Sequence, residues 1–362
     1  MTKNIWSSRR RFLRQTSLAI GATATGTFLS LGSGPRASSN IVLAGWGGEA
    51  QRRLTEAVSK PFTSETGIGV TDVVAVTTMV SQIKAQVDND NPEWDVAVLT
   101  GPEAFQLAEG GYLAELTYES EVQQEIPAEL IGKYCAAQFY AMFVVGWNPE
   151  IFPDSSAPQT WADFWNVERF PGRRTACGWF PYYMVEIALM ADGLPKDQVY
   201  PMTTEKIEHA FGKIKELRPH IDVWWGSGAQ SAQLFVDKEV DLGMLYTSRL
   251  REVVAAGHPA KWSIAQPLLE AQWLAIPKSS RNVEAAAKWI NVALRKDAQA
   301  KMMRLNSAPP TNPAAFDLLT PEEKASGLGD QDAVRNGLLL DSDYWWREYP
   351  KYLEAWEAIK AG

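Results

Sequence analysis

Aromatic and glycine positions are the most chemically suggestive features of this chain. Its 362 residues include 15 Trp, 11 Tyr and 13 Phe, but only 3 His and 2 Cys. Aromatic faces attract alkylammonium groups and pack on methylenes. Trp46, Phe180, Tyr183, Trp225 and Tyr246 therefore suit an amine-bearing organic solute. Gly47 and Gly48, and again Thr100 with Gly101, stand where a strand gives way to a helix. The free N–H groups of a helix start favour an anion such as a carboxylate. Arg249 follows a strand end and can hold the same group through paired hydrogen bonds. Plainer readings exist: Trp46 as a core ring, the glycines as tight turns. Trp224 and Trp225 are neighbours in one strand and point to opposite faces, so at least one is structural. The chain has no G-x-S-x-G, H-E-x-x-H, C-x-x-C or P-loop, so no catalytic residue and no cofactor is expected. Scattered His209, His220 and His258 argue against a metal site.

The elements that must position these residues follow from pattern. Residues 40–46 (NIVLAGW) read as an uncharged, buried strand, and 49–60 as a helix. Residues 70–76, 94–99, 138–147, 175–178 and 240–246 are further β-rich runs. Helical spacing recurs at 79–87, from Pro102, and over 182–190, 203–217, 230–238 and 249–256. Two strands are expected at 261–268 and 272–276, then single long helices at 283–305 and 343–360. This rhythm predicts an α/β chain with a parallel sheet covered by helices on both faces. In such sheets ligands bind beyond the carboxyl ends of the strands, which is where Trp46 and Thr100 fall.

Charge is uneven. Residues 1–37 carry Lys3, Arg9, Arg10, Arg11, Arg14 and Arg36 and no acid, leaving 29 basic against 43 acidic residues in the rest. So acidic a body lacks the basic face that nucleic acid needs. Ser8–Arg14, the apolar stretch Thr16–Leu31 and the small residues Ala37–Ser39 follow one another in an order that resembles a twin-arginine signal peptide. The resemblance implies passage through the twin-arginine translocase, cleavage near residue 38 and a periplasmic mature protein. Cys135 and Cys177 would then be reduced while folding, as two buried thiols, with a later disulfide in the oxidising compartment as the alternative.

Six further stretches occur in order: Asp95–Pro102 (DVAVLTGP), Thr160–Trp165 (TWADFW) with Pro171 and Gly172, Asp241–Tyr246 (DLGMLY), Leu274–Pro277 (LAIP), Trp289–Arg295 (WINVALR) with Asp297, and Pro309–Asn312 (PPTN). The set resembles the extracellular solute-binding proteins of bacterial ABC importers, in the spermidine/putrescine-binding branch, from about residue 40 to the end. The resemblance implies a two-lobed periplasmic binding protein fold of type II. Lobe one would hold 40–146 plus 276–362, and lobe two 147–275. The hinge would be crossed near Val145–Trp147 and Trp273–Ile276, with the ligand in the cleft. The chain would do no chemistry and would deliver its ligand to a membrane permease.

Tyr246 falls where the family commonly places a ligand-stacking aromatic. Polyamine-binding members carry carboxylates on the segment that here reads Cys177–Tyr183, and an acid just before the LAIP stretch. Here the first segment bears aromatics and Gln272 stands near the second position. Glu270 and Glu186 are close in sequence, in orientations the sequence leaves open. Arg249, Arg173 and Arg174 offer positive charge instead. The expected ligand is thus a small amine-bearing or zwitterionic solute, amino-acid-like in preference to a polyamine. Its expected contacts are Trp46, Gly47, Thr100, Gly101, Phe180, Tyr183, Trp225, Tyr246, Arg249 and Gln272. The alternatives are a ferric-ion carrier of the same fold and a twin-arginine-exported enzyme of unidentified chemistry. Ferric carriers usually show adjacent tyrosines at the lobe-two strand end; here that position reads Tyr246-Thr247, and the pair Tyr182-Tyr183 opens a helix, where neighbours diverge.

Overall fold

The computed structural model describes residues 40–75, 79–306, 308–329 and 331–362. The signal-peptide reading of residues 1–37 lies outside the described residues. Nine strands are described: β1 (Asn40–Gly45), β2 (Gly69–Val74), β3 (Val96–Thr100), β4 (Cys135–Trp147), β5 (Arg174–Cys177), β6 (Ile221–Trp225), β7 (Leu242–Tyr246), β8 (Lys261–Ala275) and β9 (Leu338–Leu339). They form one sheet in the order β2-β1-β3-β8-β4-β7-β5-β6, with β9 on β8.

The βα rhythm produces parallel pairing where it is unbroken, in β2-β1-β3 and in β7-β5-β6. The expected all-parallel sheet is not found. β4 and β8 run antiparallel to each other and to their neighbours β7 and β3. Residues 261–268 and 272–276, expected as two strands, form the single strand β8. Leu268–Gln272 pair with Phe143–Phe139, which keeps the backbone between them in the ladder.

These two long strands join the halves of the sheet. The start of β4 and the end of β8 pair beside β3, whereas Phe143–Trp147 of β4 pair with β7. Between these regions Tyr140–Met142 pair with Leu269–Ala271, flanked by β9 on Leu269 and by the Pro309 carbonyl, which accepts from the Tyr140 N–H at 2.9 Å. The ladder slips on both sides of this part, between Ala137 and Phe139 and between Phe143 and Val145. Such bulges bend a strand locally.

Two expected long helices are each broken. Arg295 takes an extended conformation (φ −66°, ψ 145°) that separates the helices Val283–Leu294 and Lys296–Asn306. Its guanidinium is held by Glu65 at 2.9 Å and Glu119 at 3.0 Å. The C-terminal helix divides around Pro350 into Ser342–Glu348 and Leu353–Ala361. Its first part packs on the Gly101–Glu109 helix. A Cβ at Gly101 would lie 1.9 Å from Ser342 Oγ, so only glycine permits that approach, and Arg347 meets Glu109 at 2.8 Å. Its second part packs against the 174–225 elements. Trp356 meets Trp224 edge-on at 5.3 Å, Lys360 Nζ donates to the Gly178 carbonyl at 2.7 Å, and Arg218 Nε donates to the Lys360 carbonyl at 3.0 Å. Trp161, Trp225, Trp289, Trp345 and Trp356 are fully buried, so much of the aromatic wealth is core.

Candidate ligand site at the β4–β8 crossing

Antiparallel partners share a face of the sheet. Thr100 pairs with Gln272, Phe139 with Gln272, Ala141 with Glu270, and Phe143 with Tyr246. One face of the crossing therefore presents Gln272, Glu270, Phe143 and Tyr246 in a row. Around them the rings close in. Phe143 lies 4.0 Å from Tyr246, 4.6 Å from Tyr183 and 6.2 Å from Trp225, by centroids.

Glu270 is the chemical centre of this group. It is wholly buried, and neither carboxylate oxygen has a hydrogen-bond partner. Burial pushes its carboxyl up to about 8; the Tyr183 and Gln272 side chains, polar groups that approach it just outside full hydrogen-bond geometry, pull it back, and the charge of Glu103 pushes it further up. An isolated buried carboxylate is costly unless a cation meets it. A buried carboxyl walled by aromatic rings has the chemistry to meet an ammonium group, giving up its proton when the cation arrives. Glu103 is driven upward by its own burial. Glu103 is also engaged locally, in the capping box with Thr100 at the start of the Gly101–Glu109 helix.

The other residues expected in the site fall into distinct places. Trp225 points to the ring cluster, its indole N–H spent on the Met244 carbonyl at 2.9 Å; Trp224 turns the other way, to Trp356. Phe180 stacks on Tyr182 at 4.9 Å and meets Tyr349 at 5.6 Å. Tyr182 and Tyr183 do not begin a regular helix as expected. Their backbone is non-helical, and their rings stay 4.7 Å apart in the cluster.

Trp46 sits apart from Glu270, in a small cleft with Gln51, Gln138, Phe139 and Met302. Gly47 adopts a left-handed φ of 72°, and a Cβ there would meet Val74 at 2.9 Å. It is a turn glycine packed under a side chain. The expected anion site at Thr100 and Gly101 is closed. The Glu103 carboxylate accepts from Thr100 N and Oγ1, both at 2.9 Å, and Ser342 fills the space over Gly101.

Arg249 lies on the first turn of the Thr247–Ala255 helix, next to Tyr246. Its Nη1 donates to Glu252 at 2.8 Å, and Glu252 also accepts from Arg53 at 3.0 Å, across from the first helix. The Tyr246 phenol is driven up mainly by burial, with Glu270 acting in the same direction and Arg249 against it. Arg173 and Arg174 serve structure: the first pairs with Asp241 at 2.8 Å, and the second is buried, donating to the Gly172 carbonyl at 2.8 Å. Cys135 and Cys177 are free, buried thiols.

The expected contacts did not include Glu270, which the fold places among the rings. The available signal was that Glu270 stands two residues before Gln272, on the same strand face. Among the described residues, no cluster of His, Cys, Asp and Glu has the makings of a metal site, and no helix is long and apolar enough to cross a membrane.

Comparison with known proteins agrees with this architecture. The family described as bacterial extracellular solute-binding protein matches residues 57–327. A gamma-aminobutyric acid-binding protein of Pseudomonas aeruginosa is 28% identical over 333 residues, covering 89% of this chain and 92% of that protein. The spermidine/putrescine-binding periplasmic protein of Escherichia coli is 25% identical over 290 residues, covering 76% and 80%. The crystal structure of an ABC transporter substrate-binding protein from Bradyrhizobium japonicum superposes with a TM-score of 0.81 at 30% identity, covering 88% of this chain and 99% of that one. The chain therefore has the two-lobed solute-binding fold and belongs to the bacterial extracellular solute-binding protein family, the solute-binding components of ABC transporters.

Proposed function

We propose that this protein captures an ω-amino acid, of the chain length of 4-aminobutyrate, and hands it to an inner-membrane permease after export to the periplasm by the twin-arginine route. The observation that carries this reading is the partnerless Glu270 carboxylate inside the rings of Phe143, Tyr183, Trp225 and Tyr246. In the proposed complex the ammonium group sits on Glu270, and Gln272 and the ring faces line it. Arg249, on the far side of Tyr246, takes the carboxylate; its guanidinium has five N–H donors, and one is used on Glu252. Phe180 closes the edge, and Trp46 lines the neighbouring cleft. The hinge is assigned to the β4–β8 ribbon, with β2-β1-β3 on one lobe and β7-β5-β6 on the other. The gamma-aminobutyric acid-binding relative supports a ligand with one amine and one carboxylate.

A diamine is the second reading, favoured by Glu103. This carboxyl acts on Glu270 and stands near Tyr182 and Tyr349, where a second ammonium group would relieve both acids. A ferric carrier is disfavoured because the strand-end position reads Tyr246-Thr247 instead of two adjacent tyrosines, and no cluster of His, Cys, Asp and Glu among the described residues has the makings of a metal site. Calorimetry with 4-aminobutyrate, putrescine and spermidine separates the readings. The expected result is 4-aminobutyrate binding at about −8 kcal/mol or better, micromolar or tighter. Tight putrescine or spermidine binding with no 4-aminobutyrate binding overturns the first reading in favour of the second.

A further inference from the structure

Tyr183 has a backbone that tyrosine rarely adopts, with φ 78° and ψ −62°. A bulky residue at such a φ is strained and persists only where its surroundings hold it. The holding group is Glu186, one turn on and fully buried. Its Oε2 accepts from the Tyr183 N–H at 3.0 Å. Its Oε1 accepts from the Tyr200 hydroxyl at 2.7 Å and from the indole N–H of Trp345. All three neighbours donate to it, and the ionised carboxylate, with acceptor sites on both oxygens, accepts from all of them at once.

Trp345 belongs to the Ser342–Glu348 helix, which packs on the Gly101–Glu109 helix of the β3 side. Glu186 and Tyr183 belong to the β5 side, beyond the crossing. The Tyr200 hydroxyl also accepts from the Asp341 N–H at 3.0 Å, just ahead of that helix, and Lys196 donates to the Arg335 carbonyl at 2.6 Å. The contact is therefore a further tie between the halves of the sheet, besides β4, β8, the Arg53–Glu252 pair and the Trp356 and Lys360 contacts, and it ends at a ring of the Glu270 cage.

We propose that Glu186 is a positioning residue that clasps the C-terminal segment, through Trp345, to the strained Tyr183 backbone, so that docking of this segment and assembly of the ligand cage are one event. Glu186 touches no ligand; it sets where the Tyr183 ring stands. The effect on binding rests on the ω-amino-acid reading of the cage, whereas the clasp itself can be tested without ligand.

The test uses the mature full chain with Glu186→Gln, Trp345→Phe and Tyr200→Phe. In Glu186→Gln one of the three donors faces an amide N–H instead of an acceptor. Hydrogen exchange on ligand-free protein is expected to show the Tyr183 amide losing about tenfold or more of its protection in Glu186→Gln, and less in Trp345→Phe and Tyr200→Phe, while the β4 and β8 amides stay protected. Calorimetry with 4-aminobutyrate is expected to show binding about tenfold weaker in Glu186→Gln and severalfold weaker in Trp345→Phe. A fall in melting temperature with unchanged exchange at Tyr183 and unchanged affinity reduces Glu186 to a core residue and overturns the proposal. If the unsubstituted protein binds neither 4-aminobutyrate nor putrescine, the ligand reading fails, and exchange at Tyr183 alone supports or overturns the clasp. Should Glu186→Gln not fold, Trp345→Phe, which removes one donor and keeps an aromatic ring in place, decides between the same two outcomes.

Discussion

Glu270→Gln should make the ligand-free protein more stable and the ligand-binding protein worse. The carboxyl is wholly buried, without a partner, and its pKa stands at about 8 against an ordinary 4.5. Between those values the folded chain holds a proton that the unfolded chain has released. This group's contribution to stability is therefore fullest below pH 4.5 and is lost as pH rises toward 8. At about 1.4 kcal/mol for each pH step, the difference between pH 4.5 and pH 9 is roughly 4 to 5 kcal/mol. The substitution removes it. Glu186, at about 7, titrates in the same window, so the quantity to compare is the difference between the two proteins, in which Glu186 cancels.

Thermal and urea unfolding from pH 5 to pH 9 should show the proteins nearly equal at the acid end and the variant ahead at the alkaline end. Binding moves in the opposite direction, because an ammonium group loses its charged acceptor. The expected loss for 4-aminobutyrate is about 100-fold, from the roughly 2 to 3 kcal/mol of a charge-assisted bond to a buried partner. Calorimetry at pH 7 in buffers of different ionisation enthalpy should also register close to one proton released on each binding event, since most Glu270 is protonated before the ligand arrives. A variant that binds 4-aminobutyrate as tightly as the parent, or that loses stability at pH 9, refutes the idea that Glu270 is an unpaired receptor.

Arg249→Ala should weaken 4-aminobutyrate strongly and leave putrescine unaffected or tighter, by calorimetry; equal losses for both ligands would mean that Arg249 acts only through Glu252 and Arg53. Ligand should lower the radius of gyration in small-angle scattering as the lobes close about the β4–β8 ribbon; an unchanged radius at saturating 4-aminobutyrate counts against closure there. Arg9→Lys with Arg10→Lys should strand the precursor in the cytoplasm, with the normal mature chain starting near residue 38, as read by fractionation and N-terminal sequencing; efficient export of the double variant rules out the twin-arginine route.

Local pattern was sufficient for much of the architecture. Apolar runs such as Ile41–Leu43 and Val96–Leu99 marked buried strands, and the βα rhythm gave the parallel parts on either side. It failed where pairing partners are far apart in sequence. Residues 261–268 and 272–276 read as two strands, and only the pairing of Leu268–Gln272 with β4 makes them one. Residues 343–360 read as one helix on one lobe because helical spacing does not say which surface each turn meets.

The site divides along the same line. Side-chain alternation already required that Trp224 and Trp225 face opposite ways, and the order of stretches from Asp95 to Asn312 already pointed to a solute-binding fold. These are local or ordered properties, and the sequence carries them by itself. Which tryptophan faces the rings, and that Glu270 lies opposite Ala141 in a dry aromatic box, are consequences of strand register and burial. So is the three-donor grip of Glu186 on the Tyr183 backbone, whose partners come from residues 183, 200 and 345. A carboxylate's role depends on what surrounds it, since the same Glu is a solvated charge on a surface and a receptor for cations in a closed box. That environment is assembled from segments scattered along the chain, and only the tertiary structure brings them together.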